Sequence, residues 1–348
     1  MTTRNGYALP LTLAAIIVIA LVAAIAAEQV RSSTRTISAL SDQIRYQTAL
    51  ISAEQSLIYE MLTEPMTIDG VAIGAQSDVT LLALGASSSR PDSSVVRANG
   101  HPYQIGQPTP VIIRLYDDQT FLNAASSDPA YVSDILSLFG IPRTNHSRYA
   151  AALRDYQDED DLRTLSGAEA SDYDQPGLPT NKPLRDALEL CAIKYWEASP
   201  VCDDPARLLL TMRTRRSDRL NPRLTSEALL GILMPDASAE AIADAHANYA
   251  NRTYTRFGQI GADAFEIIRD PLSNISAPGP LLTLVSHTPD ARVAQRSVIE
   301  LTPNSLISPF VVHSKYAIGG DYTQNILRIE RLDDVAPLPQ PTSIRTER

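Results

Sequence analysis

The sequence predicts an α+β protein, with one long N-terminal helix packed on an antiparallel sheet and a large all-helical domain inserted between strands. Three patterns carry that reading. Residues 7–27 contain no charge, and the run passes through Glu28 directly into an amphipathic repeat, so apolar segment and polar stalk read as one helix. Short β-rich runs lie on both sides of a central region. Within that region the apolar residues fall at helical rather than alternating spacing.

The first element is the helix. An uncharged run of 21 residues is long enough to cross a bilayer. A secretory signal would have a shorter apolar core, a small-residue cleavage site beyond it and a break in helical character. Pro10 sits in the first turn, where a missing N–H is tolerated. Ile37, Leu40, Ile44, Ile51 and Ile58 then recur at steps of three, four and seven, forming one apolar stripe that the outer half of the helix is expected to bury against a sheet. The helix should stop before Pro65, because the residue preceding a proline is pushed out of the α region. At about 1.5 Å per residue it would be on the order of 80 Å long.

Strand texture follows at 79–84, 102–105 and 111–116, among Gly, Ser and Pro clusters, and returns at 264–268, 281–286, 293–301, 310–318 and 326–329. Between them 131–139, 147–156, 184–197, 206–214, 225–233 and 239–257 read as helices. The expected organisation is a leader at 1–6 and the membrane half of the helix at 7–27. A strand-rich body at 28–120 and 258–334 is interrupted by a helical insert at 121–257, with crossings near Phe121 and Gly258. The proline-containing tail, 335–348, reads as disordered.

Composition narrows the function classes. The chain has 348 residues, 44% hydrophobic and 20% charged, which suits a folded protein with one membrane segment and one large or two moderate domains. A net charge of −10 argues against nucleic acid as a partner, since phosphate binding needs clustered positive charge. Cys191 and Cys202 stand close enough to close a small loop. In an exported domain they predict a disulfide, the alternative being two buried thiols.

A family resemblance rests on several blocks. Arg4-Asn5-Gly6 followed by Tyr7-Ala8-Leu9 resembles a class III prepilin cleavage site, with the cut between Gly6 and Tyr7. The stretch from Asp155 to Asp161, with Gly167-Ala168-Glu169 and Asp172-Tyr173, is similar to the acidic stretch of the K class of type II secretion minor pseudopilins, the general secretion pathway protein K family. Asn181-Lys182-Pro183-Leu184 with Glu189-Leu190, and Leu220-Asn221 with 225–230, resemble the next two blocks. Arg223 departs from the third block, which usually has a second asparagine there. Leu11 stands where ordinary pilins have glutamate, as the K class does.

The resemblance implies a pilin-like body, a place at the tip of a pseudopilus, and assembly with the I and J classes of minor pseudopilin. It implies a single-pass protein of the bacterial inner membrane, mostly periplasmic, that supports secretion, with the secreted protein as a candidate partner. It also implies Ca²⁺ in the insert. Physical chemistry points the same way: the eight carboxylates from Asp155 to Asp174 would repel one another without a cation, and Ca²⁺ takes six to eight oxygens in flexible geometry. The chosen ligands are Asp158, Asp160, Asp161, Glu169 and Asp172, the alternative being a solvated acidic loop. Asp158, Asp160 and Glu169 fit positions one, three and twelve of an EF-hand loop, but Leu162 and Arg163 occupy positions that need an oxygen ligand and a glycine.

Other features read as structural. His101, His146, His246, His287 and His313 show no metal-ligand spacing, and no P-loop, dinucleotide fingerprint or nucleophile elbow is present, so the chain is not expected to be an enzyme. The basic run Arg213, Arg215, Arg216, Arg219 and Arg223 reads as a charged surface or as partners for the acidic segment. A competing functional reading is a signal-anchored periplasmic metal-binding module or hydrolase built on the acidic cluster.

Overall fold

A computed structural model of the chain describes residues 8–67, 69–74, 95–106, 108–214, 221, 224–233, 237–238, 240–243, 278–289, 291, 293–319 and 335–339. Gly6 and Tyr7, the expected strands at 79–84, 264–268 and 326–329, the crossing at Gly258, and most of the expected helix at 239–257 lie outside these residues. Two compact units are distinguished, Met1–Ile51 and Ser52–Arg348.

The first unit is helical. Helix α1 spans Ala8–Thr63 and so stops before Pro65. Its N-terminal part is long and apolar enough to cross a membrane by length and composition, with a mean hydropathy of 2.4. Large apolar side chains there, among them Ile16, Ile19, Leu21 and Ile25, are exposed. Ile37, Leu40, Ile44 and Ile51 are exposed as well, contrary to the expectation that the whole stripe is buried on a sheet.

In the second unit, sheet packing involves only the last turns of α1, where Ala53, Glu54, Leu57, Ile58 and Met61 repeat at three- and four-residue steps and are buried. Among the described residues the sheet has five antiparallel strands in the order β3 (Asn99–Ile105), β4 (Val111–Asp117), β7 (Leu281–His287), β8 (Val293–Leu301) and β9 (Phe310–Gly319). Two short strands precede it, β1 (Gly70–Ala72) and β2 (Val95–Arg97), paired with each other and not anticipated from the sequence. Residues of one face, including Ile113, Leu115, Leu282, Leu284 and Ile299, form a core with Leu57, Ile58 and Met61. At Gly100 the backbone has φ +85°, and a Cβ would lie 2.2 Å from the Tyr116 ring, so only glycine fits where β3 bulges beside β4.

The opposite face explains why every residue of β4 is buried. Tyr116, Val285, Ala294 and Ile318 pack on Phe121, Leu209 and Leu210 of the segment that the chain inserts between β4 and β7. That segment comprises β5 (Leu122–Asn123), α2 (Pro129–Leu138), α3 (Arg143–Gln157), α4 (Pro205–Thr211), β6 (Met212–Arg213) and α5 (Glu227–Leu233). Its own core gathers Leu136, Leu153, Tyr156, Leu190, Trp196 and Leu208. The Trp196 indole donates to the Tyr149 carbonyl at 3.0 Å.

Three sequence readings need correction. The expected helix at 184–197 is a pair of 3₁₀ turns, Ala187–Ala192 and Trp196–Ala198. Asp186 caps the first, Tyr195 takes φ +72°, and a disulfide joins Cys191 to Cys202 across a Cα separation of 5.6 Å, a path no continuous α-helix follows. The helix expected to reach 214 ends at Thr211, because Met212 and Arg213 turn extended and pair in parallel with Leu122 and Asn123. The start of the tail is ordered: Val335 and Leu338 are buried, Gln104 donates to Ala336 at 2.9 Å, and Leu338 donates to Gln104 at 2.8 Å. Pro337 between them has no N–H to place, which suits this outer position on β3.

Candidate functional site

The acidic segment begins inside the last turns of α3. Asp155 is fully buried, and its two carboxylate oxygens receive the Thr164 N–H at 3.4 and 3.1 Å. That contact folds 158–164 back over the end of the helix. Gly167 closes the turn by donating to the Thr164 carbonyl at 2.9 Å, and a Cβ there would lie 1.9 Å from Asp155 Oδ2. The absence of a side chain at 167 is therefore what lets the loop lie against the carboxylate.

Glu169 follows, 6% exposed, and neither of its carboxylate oxygens has a hydrogen-bond donor. The Asp172 N–H, which could have reached it, goes to the Glu169 backbone carbonyl at 2.7 Å. Asp158 Oδ1 and Asn181 Oδ1 are likewise buried without partners. Asn181, held at φ +49°, uses its amide hydrogens on the Asp160 carbonyl at 3.1 Å and on Asp161 Oδ1 at 3.0 Å, which ties the 181 segment to the acidic loop. Burial, then the charges of Asp155, Asp158, Asp161 and Asp160, push the Glu169 carboxyl above its ordinary pKa. Burial, then Asp160 and Asp155, do the same to Asp158.

Of the five carboxylates singled out from the sequence, Asp158 and Glu169 present unpartnered oxygens, and Asp160 and Asp161 contribute negative charge around Glu169. Asp172 is engaged elsewhere. One of its oxygens accepts from the Glu169 N–H at 3.0 Å, and the other pairs with Arg163 at 3.3 Å. Asp155 and Asn181 take part although the sequence reading did not choose them as ligands. Asp155 stands one helical turn before Asp158, while Asn181 is far along the chain and is legible in the sequence only as the start of the second family block.

Among the described residues, no group of three or more His, Cys, Asp and Glu side chains forms a ready metal centre. Such a grouping omits amide and backbone oxygens, which Ca²⁺ also takes as ligands beside carboxylates. The residues present fit that ion: two carboxylates and one amide carry buried oxygens that no donor satisfies, and no lysine or arginine bond compensates Glu169. A buried carboxylate left in this state costs free energy that an oxygen-seeking cation would offset.

Elsewhere the structure assigns packing roles. His146 is buried between Ser133 Oγ and the Ile141 carbonyl, each at 2.7 Å, and so bridges α2 and α3. Arg213 pairs with Asp118 at 3.1 Å and with Thr283. The other arginines of the basic run lie outside the described residues.

Residues 114–201 match the sequence profile of a family described as Type II secretion system (T2SS), protein K. No curated protein matches the chain. Among solved structures, a chain in the GspK-GspI-GspJ complex from the enterotoxigenic Escherichia coli type 2 secretion system is similar, at 16% identity and a TM-score of 0.45 over 80% of this chain and 98% of that one. Residues 114–201, which take in α2, α3 and the whole acidic cluster, are thus similar to type II secretion system protein K.

Proposed function

We propose that the protein is a minor pseudopilin that caps the tip of the type II secretion pseudopilus and initiates its assembly together with minor pseudopilins of the I and J classes. The family match over residues 114–201 carries this reading, because it falls on the helical insert that an ordinary pilin body would lack. The apolar half of α1 supports it as an inner-membrane anchor from which the remainder extends into the periplasm. In a stack of pilin-like helices, a glutamate near the mature N-terminus neutralises the amine of a neighbour within the membrane. Leu11 cannot do so, which suits a subunit that never enters below another. The insert, lying on the second face of the sheet, would obstruct addition above it.

Within this role the acidic cluster would hold Ca²⁺ through Glu169, Asp158 and Asn181 Oδ1, with Asp155, Asp160 and Asp161 supplying charge. The ion supplies positive charge that joins the end of α3 to the loop at 158–169 and to Asn181. The insert would thereby keep a fixed shape where other subunits or a secreted protein meet it.

The test is mass spectrometry of the full-length protein recovered from its native membrane, combined with co-purification of I- and J-class subunits. A mature chain starting at Tyr7 and a stable three-protein complex are expected. An intact Met1, or a protein that stays alone on a sizing column, would replace this role with that of a signal-anchored periplasmic protein.

A further inference from the structure

Away from the acidic cluster, a pocket of about 500 Å³ opens between the second face of the sheet and the insert. β8 and β9 form one wall, and the Arg185-Asp186 and Arg213-Thr214 segments form the other. Its charged side chains are nearly all matched. Arg213 pairs with Asp118 at 3.1 Å, Glu300 is bonded to His313 at 2.7 Å, and Arg185 pairs with Glu189 at 2.9 Å. Asp186 accepts the Tyr316 hydroxyl and the Leu188 N–H.

Arg296 is the exception. It projects from the middle of β8, is 1% exposed, and has no hydrogen-bond partner at Nε or Nη1. The Asp186 charge acts on it, but that carboxylate is committed to Tyr316 and Leu188, and the Tyr316 ring, 5.9 Å away, offers only its face. Arg213 in the same pocket is buried almost as deeply, yet has a carboxylate and a threonine hydroxyl. A guanidinium carries five donors in a planar fork suited to a carboxylate, and burying it unpaired is expensive. No hydrogen bond fixes Nε or Nη1, so the terminal torsions can turn the fork toward a group that enters the pocket.

We propose that this pocket binds a carboxylate, received by Arg296 with Arg185 at the rim, and that the carboxylate arrives as an acidic side chain of a polypeptide. One unmatched cation calls for one monoanion. A phosphate dianion would bring surplus charge against Asp118, Asp186 and Glu300, whereas a glutamate or aspartate balances Arg296. A volume of about 500 Å³ admits a side chain with part of its backbone, more than a free acetate fills. Burial already draws the Arg296 pKa down to about 10 because Asp186 offsets only part of the desolvation. This site is independent of the calcium cluster and of the role at the pseudopilus tip.

The experiment is calorimetric titration of the detergent-solubilised full-length protein with a capped Gly-Glu-Gly peptide, its Gln counterpart, acetate and inorganic phosphate. Saturable binding of the Glu peptide, none of the Gln peptide, and at least tenfold weakening in Arg296→Met are expected, with Arg185→Met weakening it less. The ¹⁵Nε signal of Arg296 in the unmodified protein should shift on addition of the peptide, which keeps the test valid if Arg296→Met does not fold. Acetate or phosphate binding as tightly as the peptide would overturn the polypeptide assignment. No binding of the Glu peptide, an unmoved Arg296 signal, or binding unaltered by a folded Arg296→Met would overturn the site.

Discussion

The Glu54 carboxylate on α1 meets the Lys315 ammonium on β9 at 2.7 Å, across 261 residues of sequence. Glu54 is 3% exposed, and its other oxygen accepts from Ser286 on β7 at 3.2 Å and from Ser297 on β8 at 3.0 Å. One carboxylate thus ties the helix to three adjacent strands. Because the sheet is completed only when the chain returns after the insert, this contact also fixes the register of distant segments on α1.

Removing the lysine leaves that buried charge with two hydroxyl donors. Lys315→Ala should lower the unfolding free energy by about 2 kcal/mol, the range for a hydrogen bond to a charged group. In a Glu54→Gln background the same substitution should cost little, since no charge remains to be stranded. Urea denaturation of the four proteins in this cycle measures the coupling, and strictly additive effects would rule out the direct interaction.

This tie shows where the sequence was legible and where it was not. Apolar spacing located α1, and Ile58 is buried as its stripe required. The same spacing included Ile37, Leu40, Ile44 and Ile51, which are exposed, because periodicity reports a face and not the extent of what covers it. Strands β4, β7, β8 and β9 were readable from their β-branched runs. The 3₁₀ turns at 187–198 were not, since Asp186 capping, the left-handed Tyr195 and the disulfide override the helical propensity of their residues. At the acidic site, charge density pointed to Asp158 and Glu169. The part played by Asn181 arises from folding that brings a residue about 20 positions away onto Asp161, and Arg296 reads in sequence as one more polar position on a strand.

The disulfide closes a loop between residues 11 apart and braces the turns that carry Trp196. In the chain-entropy account a loop of that size contributes about 3 kcal/mol. Replacing both cysteines by alanine should therefore lower stability by about 2 to 3 kcal/mol. Trp196 is the sole tryptophan and is buried, so its fluorescence during denaturation reports on this region directly. An unchanged midpoint would mean that the insert core holds the turns without the bridge.

Calcium should raise the melting temperature of the full-length protein, and chelator should reverse the rise. Saturation at 100 times the dissociation constant corresponds to about 2.7 kcal/mol. Glu169→Gln should abolish the response. Gly167→Ala should also weaken it without removing a ligand, because the new Cβ would collide with Asp155 Oδ2 and displace the loop. The raised carboxyls of Glu169 and Asp158 let protons compete with the ion at a higher pH than for ordinary carboxylates, so the response should fade on acidification. A melting temperature indifferent to calcium and chelator would remove the metal from the proposed function.

Asp117 ends β4 where the chain leaves the sheet, and it holds the place where the chain returns. Its carboxylate accepts the Gly279 N–H at 2.9 Å and the Gln119 N–H at 3.2 Å while the residue is fully buried. Burial pushes its pKa up to about 6, those N–H groups pull it down, and Asp118 adds a smaller upward push. A folded-state pKa above the unfolded value of 3.8 means that the native protein binds the extra proton between those two pH values. Stability contributed at this position is therefore present at pH 4 and falls as pH rises toward 6, by up to about 3 kcal/mol. Asn at this position cannot ionise, so subtracting Asp117→Asn from wild type cancels the other titrating groups. The difference in unfolding free energy should shift against the wild type between pH 4 and pH 7 and level off above that. A difference that stays flat across this range would show that Asp117 is ionised in the folded protein throughout, with its two N–H donors outweighing its burial.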